Sequence, residues 1–172
     1  ILKRAYGRPT PVQSQALPLL LEQTKRDAII VAPTGTGKTL VFLTTLLSIL
    51  AKKGRKEGQG RDKDRRKRAI ILTPTKELAR QTEQELGKLR NRLSNQIIIT
   101  TPMRLVKRIK SGLDLSRIRQ LVLDEADRLL EGNFLEQLDS ILQTIIQAPV
   151  EPIKTGTEKT ARKIISQGRR PR

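Results

Sequence analysis

The 172-residue chain contains no cysteine, no histidine and no tryptophan, and only one tyrosine and two phenylalanines. Without thiols or imidazoles there are no disulfides, zinc sites, thiol nucleophiles or imidazole bases, and proton acceptance falls to carboxylates. With aromatics at 2%, packing rests on Leu, Ile and Val, and the 36% apolar content is modest but enough for one domain's core. No apolar run reaches the roughly 18 residues of a membrane span, and no secretory leader opens the chain. The expectation is a soluble intracellular protein without membrane contact.

Acid is also scarce. Lys and Arg number 35 against 17 Asp and Glu, a net charge of +18 that points to a polyanionic partner. The excess is concentrated in two places. Residues 52–68, KKGRKEGQGRDKDRRKR, hold ten bases and three acids, and residues 148–172 hold seven bases and two acids. With no apolar anchor, 52–68 reads as a disordered basic insertion, with nuclear import or RNA contact as a second role for RDKDRRKR.

The rest alternates. Strand-like runs at Ala28–Val31, Ala69–Leu72, Ile97–Ile99 and Leu121–Leu123 are each followed by a polar turn and a helical pattern. Thr39–Leu50 is apolar nearly all round, and Phe134, Leu138, Ile141, Leu142, Ile145 and Ile146 form a stripe at helical spacing. This alternation predicts an α/β domain with a largely parallel sheet, whose ligands bind beyond the carboxyl ends of the strands.

Each strand exit carries a polar motif. After the first comes APTGTGKT, residues 32–39. Gly35 and Gly37 allow backbone N–H groups to turn around phosphate oxygens, Lys38 reaches the terminal phosphates, and the Thr39 hydroxyl is placed for magnesium. Ala32 stands where the general pattern has its first glycine. After the last strand comes Asp124-Glu125-Ala126-Asp127. Acids at the end of a buried strand need a cation, which gives Asp124 the metal side and Glu125 the role of base for an attacking water.

These motifs, in order, resemble those of the DEAD-box RNA helicases, and the resemblance covers most of the chain. GRPTPVQSQALP, residues 7–18, is similar to the family's Q motif, and APTGTGKT to its motif I, including the alanine. PTKELARQ, residues 74–81, and TTPMR, residues 100–104, are similar to motifs Ia and Ib. The resemblance implies a parallel-sheet P-loop NTPase, the N-terminal RecA-like helicase lobe, over residues 1–147, using ATP and Mg2+. It implies a nucleotide site of Arg8, Thr10, Gln13, Ala32, Pro33, Thr34, Gly35, Thr36, Gly37, Lys38 and Thr39, with Gln13 reading the adenine edge. Lys38, Asp124 and Glu125 are then catalytic, Thr39 and Asp124 hold the metal, and Asp127 couples the lobes. RNA phosphates fall to Pro74, Thr75, Lys76, Glu77, Thr101, Pro102 and Arg104. Taken alone, PTKELA also reads as a helix start capped by Thr75.

The chain departs from the family pattern in three ways. The aromatic residue upstream of the Q-motif glutamine would precede Ile1, the Ser-Ala-Thr motif after DEAD is not visible, and the second RecA-like lobe is missing. The arginines that neutralise transition-state charge would come from that lobe. The segment by itself is therefore expected to bind ATP weakly and hydrolyse almost none. The family mechanism is closure of two lobes on ATP and RNA, bending one strand locally until pairing fails, through contacts to phosphate and sugar. PTPVQSQALPLLL, TTPMRLV and LDLSRIRQLVLDEADRLLEGNFLEQLDSIL look most like a nucleolar subgroup acting in small-subunit ribosomal RNA processing. That implies pre-ribosomal RNA and protein partners and a nuclear, nucleolar location, with the cytoplasm as the alternative. A different P-loop ATPase and a non-catalytic RNA-binding scaffold remain as rival classes.

The interval between PTKELARQ and TTPMR is short, with room in Thr82–Ile99 for one helix and one strand. The basic tail 148–172 resembles the family's missing piece between these motifs. The further expectation is that this tail occupies that space as a displaced segment of the same lobe, with a degenerate C-terminus as the alternative.

Overall fold

The structure, a computed structural model, describes residues 7–22, 27–56, 68–89 and 92–147. Its centre is β1 (Ala69–Leu72), whose four residues are all buried. β2 (Ile97–Thr100) and β3 (Gln120–Leu123) flank it in parallel, in the order β2-β1-β3. Ile70 lies opposite Ile98 on one side and Leu121 on the other. These β-branched and leucine side chains suit a strand covered on both faces.

Parallel strands need long crossovers, and helices supply them. α1 (Pro11–Glu22) packs on α2 (Lys38–Lys56), where Lys52 Nζ donates to the Leu21 carbonyl at 2.9 Å. α3 (Lys76–Lys88) joins β1 to β2 through a short 3-10 turn at Arg92–Gln96, and α4 (Pro102–Lys110) leads from β2 towards β3. A single turn, α5 (Ala126–Leu129), and then α6 (Asn133–Gln147) follow β3.

Alternate β1 side chains face opposite ways and build two cores. Ala69 and Ile71 join Leu43, Leu46, Leu47 and Leu86 on the face covered by α2 and α3. Ile70 and Leu72 join Leu105, Leu129, Leu138 and Ile141 on the face covered by α4, α5 and α6. Among the described residues no helix is long and apolar enough to cross a membrane.

Several expectations need correction. Ala28–Val31 forms no strand, and Ile29 and Val31 are 93% and 92% exposed. A strand requires a neighbour for its backbone groups, and the sheet of described residues offers this run none. The helix expected to stop at Leu50 continues to Lys56, and Arg68 joins the sheet's hydrogen bonding through Gln96 and Arg119. The basic stretch 52–68 is thus structured at both ends, and 57–67 lie outside the described residues. Ile146, assigned to the apolar stripe of α6, is 74% exposed. Between motifs Ia and Ib the chain holds one helix, a 3-10 turn and one strand, as its length required. The proposed displacement of 148–172 falls outside the described residues.

Because Ile70 is fully buried at the centre of the sheet, Ile70→Ala should cost about 2–5 kcal/mol. Leu130→Ala, at a side chain 54% exposed, should stay within about 0.5 kcal/mol. Urea unfolding of the full chain measures both, and equal losses would contradict this core.

Candidate active site

The parallel register brings the strand exits level. Thr73 N–H donates to the Thr100 carbonyl at 3.1 Å and Asp124 N–H to the Leu72 carbonyl at 2.9 Å. Thr73-Pro74-Thr75, Thr101-Pro102 and Asp124-Glu125 therefore emerge side by side at one edge of the sheet.

Residues 32–37 form a turn ahead of α2 in which Gly35 (φ 79°) and Gly37 (φ 91°) occupy the left-handed region. The Thr36 hydroxyl donates to the Pro33 carbonyl at 2.8 Å. The Lys38 ammonium is curled into the loop, donating to the Ala32 carbonyl and to the Pro33 carbonyl at 3.0 Å. Those carbonyl oxygens occupy the ammonium. Thr39 is half-buried in the first turn of α2, while Pro33, Thr34 and Gly35 are exposed.

α1 clamps this loop from the side. The Thr10 hydroxyl donates to the Thr36 carbonyl at 2.7 Å, and Gln13 Nε2 donates to the Gly37 carbonyl at 3.3 Å. Gln13 is buried, and its Oε1 accepts from Thr10 N–H at 3.1 Å. Both ends of the amide that was expected to read adenine are thus engaged by the chain itself. Arg8 is exposed and has no ion pair among the described residues.

At the end of β3, burial raises the Asp124 carboxyl above the ordinary aspartate value of 3.8, and the neighbouring Glu125 charge adds to the rise. The Lys38 ammonium opposes both, which puts the phosphate loop and the β3 exit in one electrostatic neighbourhood. Glu125 sits at φ 52° and ψ 53°, a left-handed conformation uncommon for such a side chain, and pairs with Arg128 at 3.3 Å. Asp127 is exposed in the first turn of α5.

The remaining site residues line the other two exits. Thr75 caps α3, accepting from Leu78 N–H at 3.2 Å, so the helix-start reading of PTKELA holds. Pro74 is buried and Lys76 exposed. The Glu77 carboxylate accepts from Arg80 at 3.1 and 2.6 Å and from Gln81 at 3.4 Å, and the Arg80 hydrogen bond holds its pKa low. A carboxylate in that state repels phosphate, so an anion would meet Glu77 through its backbone at the helix N-terminus. Thr101 and Pro102 are buried, Thr101 makes no side-chain cap, and Arg104 is exposed. Sequence reasoning overlooked Arg80 and Arg128 as partners, although both stand three residues after a glutamate, the spacing of neighbours on a helix face.

Among the described residues no group of three or more acids could hold a metal by itself. Thr39 at the start of α2 and Asp124 at the end of β3 offer oxygen donors of the kind magnesium takes, which keeps several waters and uses one or two protein ligands beside substrate phosphates. A cavity of about 330 Å³ lined by Leu115, Ile118, Leu121 and Ile145 lies at the opposite end of β3, away from these groups.

The family model described as "DEAD/DEAH box helicase" matches residues 10–160. A protein named DEAD-box ATP-dependent RNA helicase 57 from Oryza sativa subsp. japonica is 40% identical over 162 residues, which cover 82% of this chain and 28% of that protein. ATP-dependent RNA helicase ROK1 from Lodderomyces elongisporus is 34% identical over 195 residues, covering 96% of this chain and 34% of the relative. Among solved structures, Mss116 bound to ssRNA and UDP-BeF superposes with a TM-score of 0.75 at 27% identity, covering 88% of this chain and 34% of that one. Prp28 from Chaetomium thermophilum bound to ADP superposes with a TM-score of 0.68 at 34% identity, covering 82% and 39%. The chain thus spans about a third of the length of the curated relatives it matches.

A Cβ at Gly37 would land on Gln13 Nε2, on a backbone that disfavours any L side chain. Gly37→Ala should destabilise the chain by about 1–3 kcal/mol and weaken nucleotide binding about tenfold or more, and adding Gln13→Ala should recover only part of the stability. Thermal melts and fluorescent-nucleotide titration measure the two effects.

Asp124 gives a pH signature. Its raised folded pKa means that the native chain holds this proton more tightly than the unfolded chain. Stability from this group is present below the ordinary value of 3.8 and is lost as pH rises through the folded pKa. In nucleotide-free and magnesium-free buffer, Asp124→Asn should melt higher than the parent at neutral pH. That advantage should shrink as pH falls towards the ordinary aspartate value, and a pH-independent difference would contradict the assignment.

Proposed function

Since the chain belongs to the DEAD/DEAH box helicase family, we propose that it is the ATP-binding N-terminal lobe of an ATP-dependent RNA helicase that couples hydrolysis to local duplex opening. The observation that carries this reading is the level exit of Thr73-Pro74-Thr75, Thr101-Pro102 and Asp124-Glu125 at one edge of the sheet, with the Lys38 charge felt at Asp124. One nucleotide and one RNA strand can then be held along the same edge of the sheet.

The roles follow from position. The phosphate loop, with Gly35 and Gly37 in the left-handed region, turns N–H groups towards phosphates as Lys38 leaves the Ala32 and Pro33 carbonyls to meet them. Thr10 and Gln13 hold the loop from α1, and Gln13 must exchange a partner to read an adenine edge. Thr39 and Asp124 would hold Mg2+, which screens developing charge on the phosphates. Glu125, presented by its unusual backbone at the β3 exit, orients the attacking water and accepts its proton.

Thr75, Thr101 and Arg104 meet RNA phosphates at the β1 and β2 exits, with Lys76 beside them, and Asp127 faces the second lobe. That lobe, in the full chain, supplies the arginines for transition-state charge. The resemblance of the LDLSRIRQLVLDEADRLLEGNFLEQLDSIL stretch to the nucleolar subgroup supports ribosomal RNA processing in the nucleolus as the setting.

Lys38→Ala and Glu125→Gln in the full chain separate binding from chemistry. Lys38→Ala should weaken ATP about ten- to a hundredfold, the loss of one charge-assisted contact, with the melt unchanged in nucleotide-free buffer. Glu125→Gln should keep nucleotide affinity and abolish RNA-stimulated hydrolysis. Parent-like ATP affinity in a folded Lys38→Ala variant would overturn the reading.

A further inference from the structure

α4 has a one-sided charge. It buries Pro102 and Leu105, half-buries Val106 and Ile109, and leaves Met103, Arg104, Lys107, Arg108 and Lys110 exposed. The helix carries four cations and no acid. On other helices Arg80 is matched to Glu77, Lys88 to Glu85 and Arg128 to Glu125. None of the four on α4 forms an ion pair among the described residues, although α6, which packs against it, exposes Glu136 and Asp139. Attraction to the helix C-terminus accounts for cations in the last turn, but Arg104 stands in the first turn, where positive charge is disfavoured unless an anion answers it.

We infer that the exposed face of α4 is a second phosphate track, in which Lys107, Arg108 and Lys110 take the backbone of a double-stranded RNA arm flanking the segment held at the strand exits. The inference rests on the RNA reading above. The helix starts at the β2 exit and runs about 14 Å, with its cations spaced three and four residues apart along one face. It bears no aromatic side chain, whereas single-strand surfaces stack bases on aromatics. Contacts restricted to phosphate on a rigid helix suit duplex RNA, which is read by shape and backbone.

The test is Lys107→Gln with Arg108→Gln and Lys110→Gln in the full chain, titrated with a hairpin RNA bearing a single-stranded tail and with the tail alone. Affinity for the tailed hairpin should fall about tenfold at low salt, with the log–log salt slope shallower by about 2. Tail affinity, ATP affinity and the melting curve should match the parent. Lys107→Arg with Lys110→Arg should bind like the parent, a control that keeps the charge. Unchanged hairpin affinity and slope would overturn the inference. Equal losses on both RNAs would assign the face to the gripped strand and overturn the duplex arm. A parent chain that binds neither RNA would remove the RNA reading itself.

Discussion

The parallel register of β1 with β2 and β3 is the constraint on which the rest of the molecule depends. Parallel pairing forbids tight turns, so the chain must leave each strand at the same edge and return through a helix. Leu72 is level with both Thr100 and Leu123, and the residues that follow are held where polar groups can meet solvent and ligand. The same register sets the alternation that sends Ala69 and Ile71 to one core and Ile70 and Leu72 to the other. A one-residue slip would exchange the two faces and misplace the Thr75, Thr101 and Asp124 exits together.

Within that frame the site is an electrostatic balance. Asp124 is partly desolvated beside Glu125, and the opposing cation is Lys38, whose ammonium is engaged by two loop carbonyls. Nucleotide phosphates offer Lys38 stronger acceptors than neutral carbonyls do, because a hydrogen bond between charged groups is roughly twice as strong. A divalent cation drawn in with them would favour the charged form of Asp124. Thr10 and Gln13 tie the Thr36 and Gly37 carbonyls to the start of α1, so a displacement of the loop would be passed to that helix.

What the sequence made legible was whatever local pattern determines. Ala69–Leu72, the glycines of the phosphate loop and the Thr75 cap are read from a few neighbouring residues, and they stand where expected. The misses involve partners distant in sequence or choices made by the backbone. Ala28–Val31 has strand composition, but composition cannot supply the neighbouring strand that a ladder requires. Gln13 has the chemistry for adenine, yet its amide can be satisfied equally by Thr10 and by the Gly37 carbonyl 24 residues away. The left-handed turn at Glu125 is not encoded by a glycine or asparagine; the surrounding exit from β3 imposes it.

Net charge was the loudest signal in the sequence and the least specific. A total of +18 draws the chain towards any polyanion and raises encounter rates, but says nothing about which surface makes contact. Selectivity among surfaces comes from local compensation. Glu77 holds the Arg80 guanidinium in two hydrogen bonds, so that cation's field is largely cancelled at short range. α4 carries no acid, and its cations start with the exposed Arg104 at the β2 exit. Screening at physiological ionic strength shortens electrostatic reach to about 8 Å, so the scattered excess fades while adjacent uncompensated cations still act together on a backbone laid against them. The local field at a surface is thus decided by where acids are missing rather than by how many bases the chain holds.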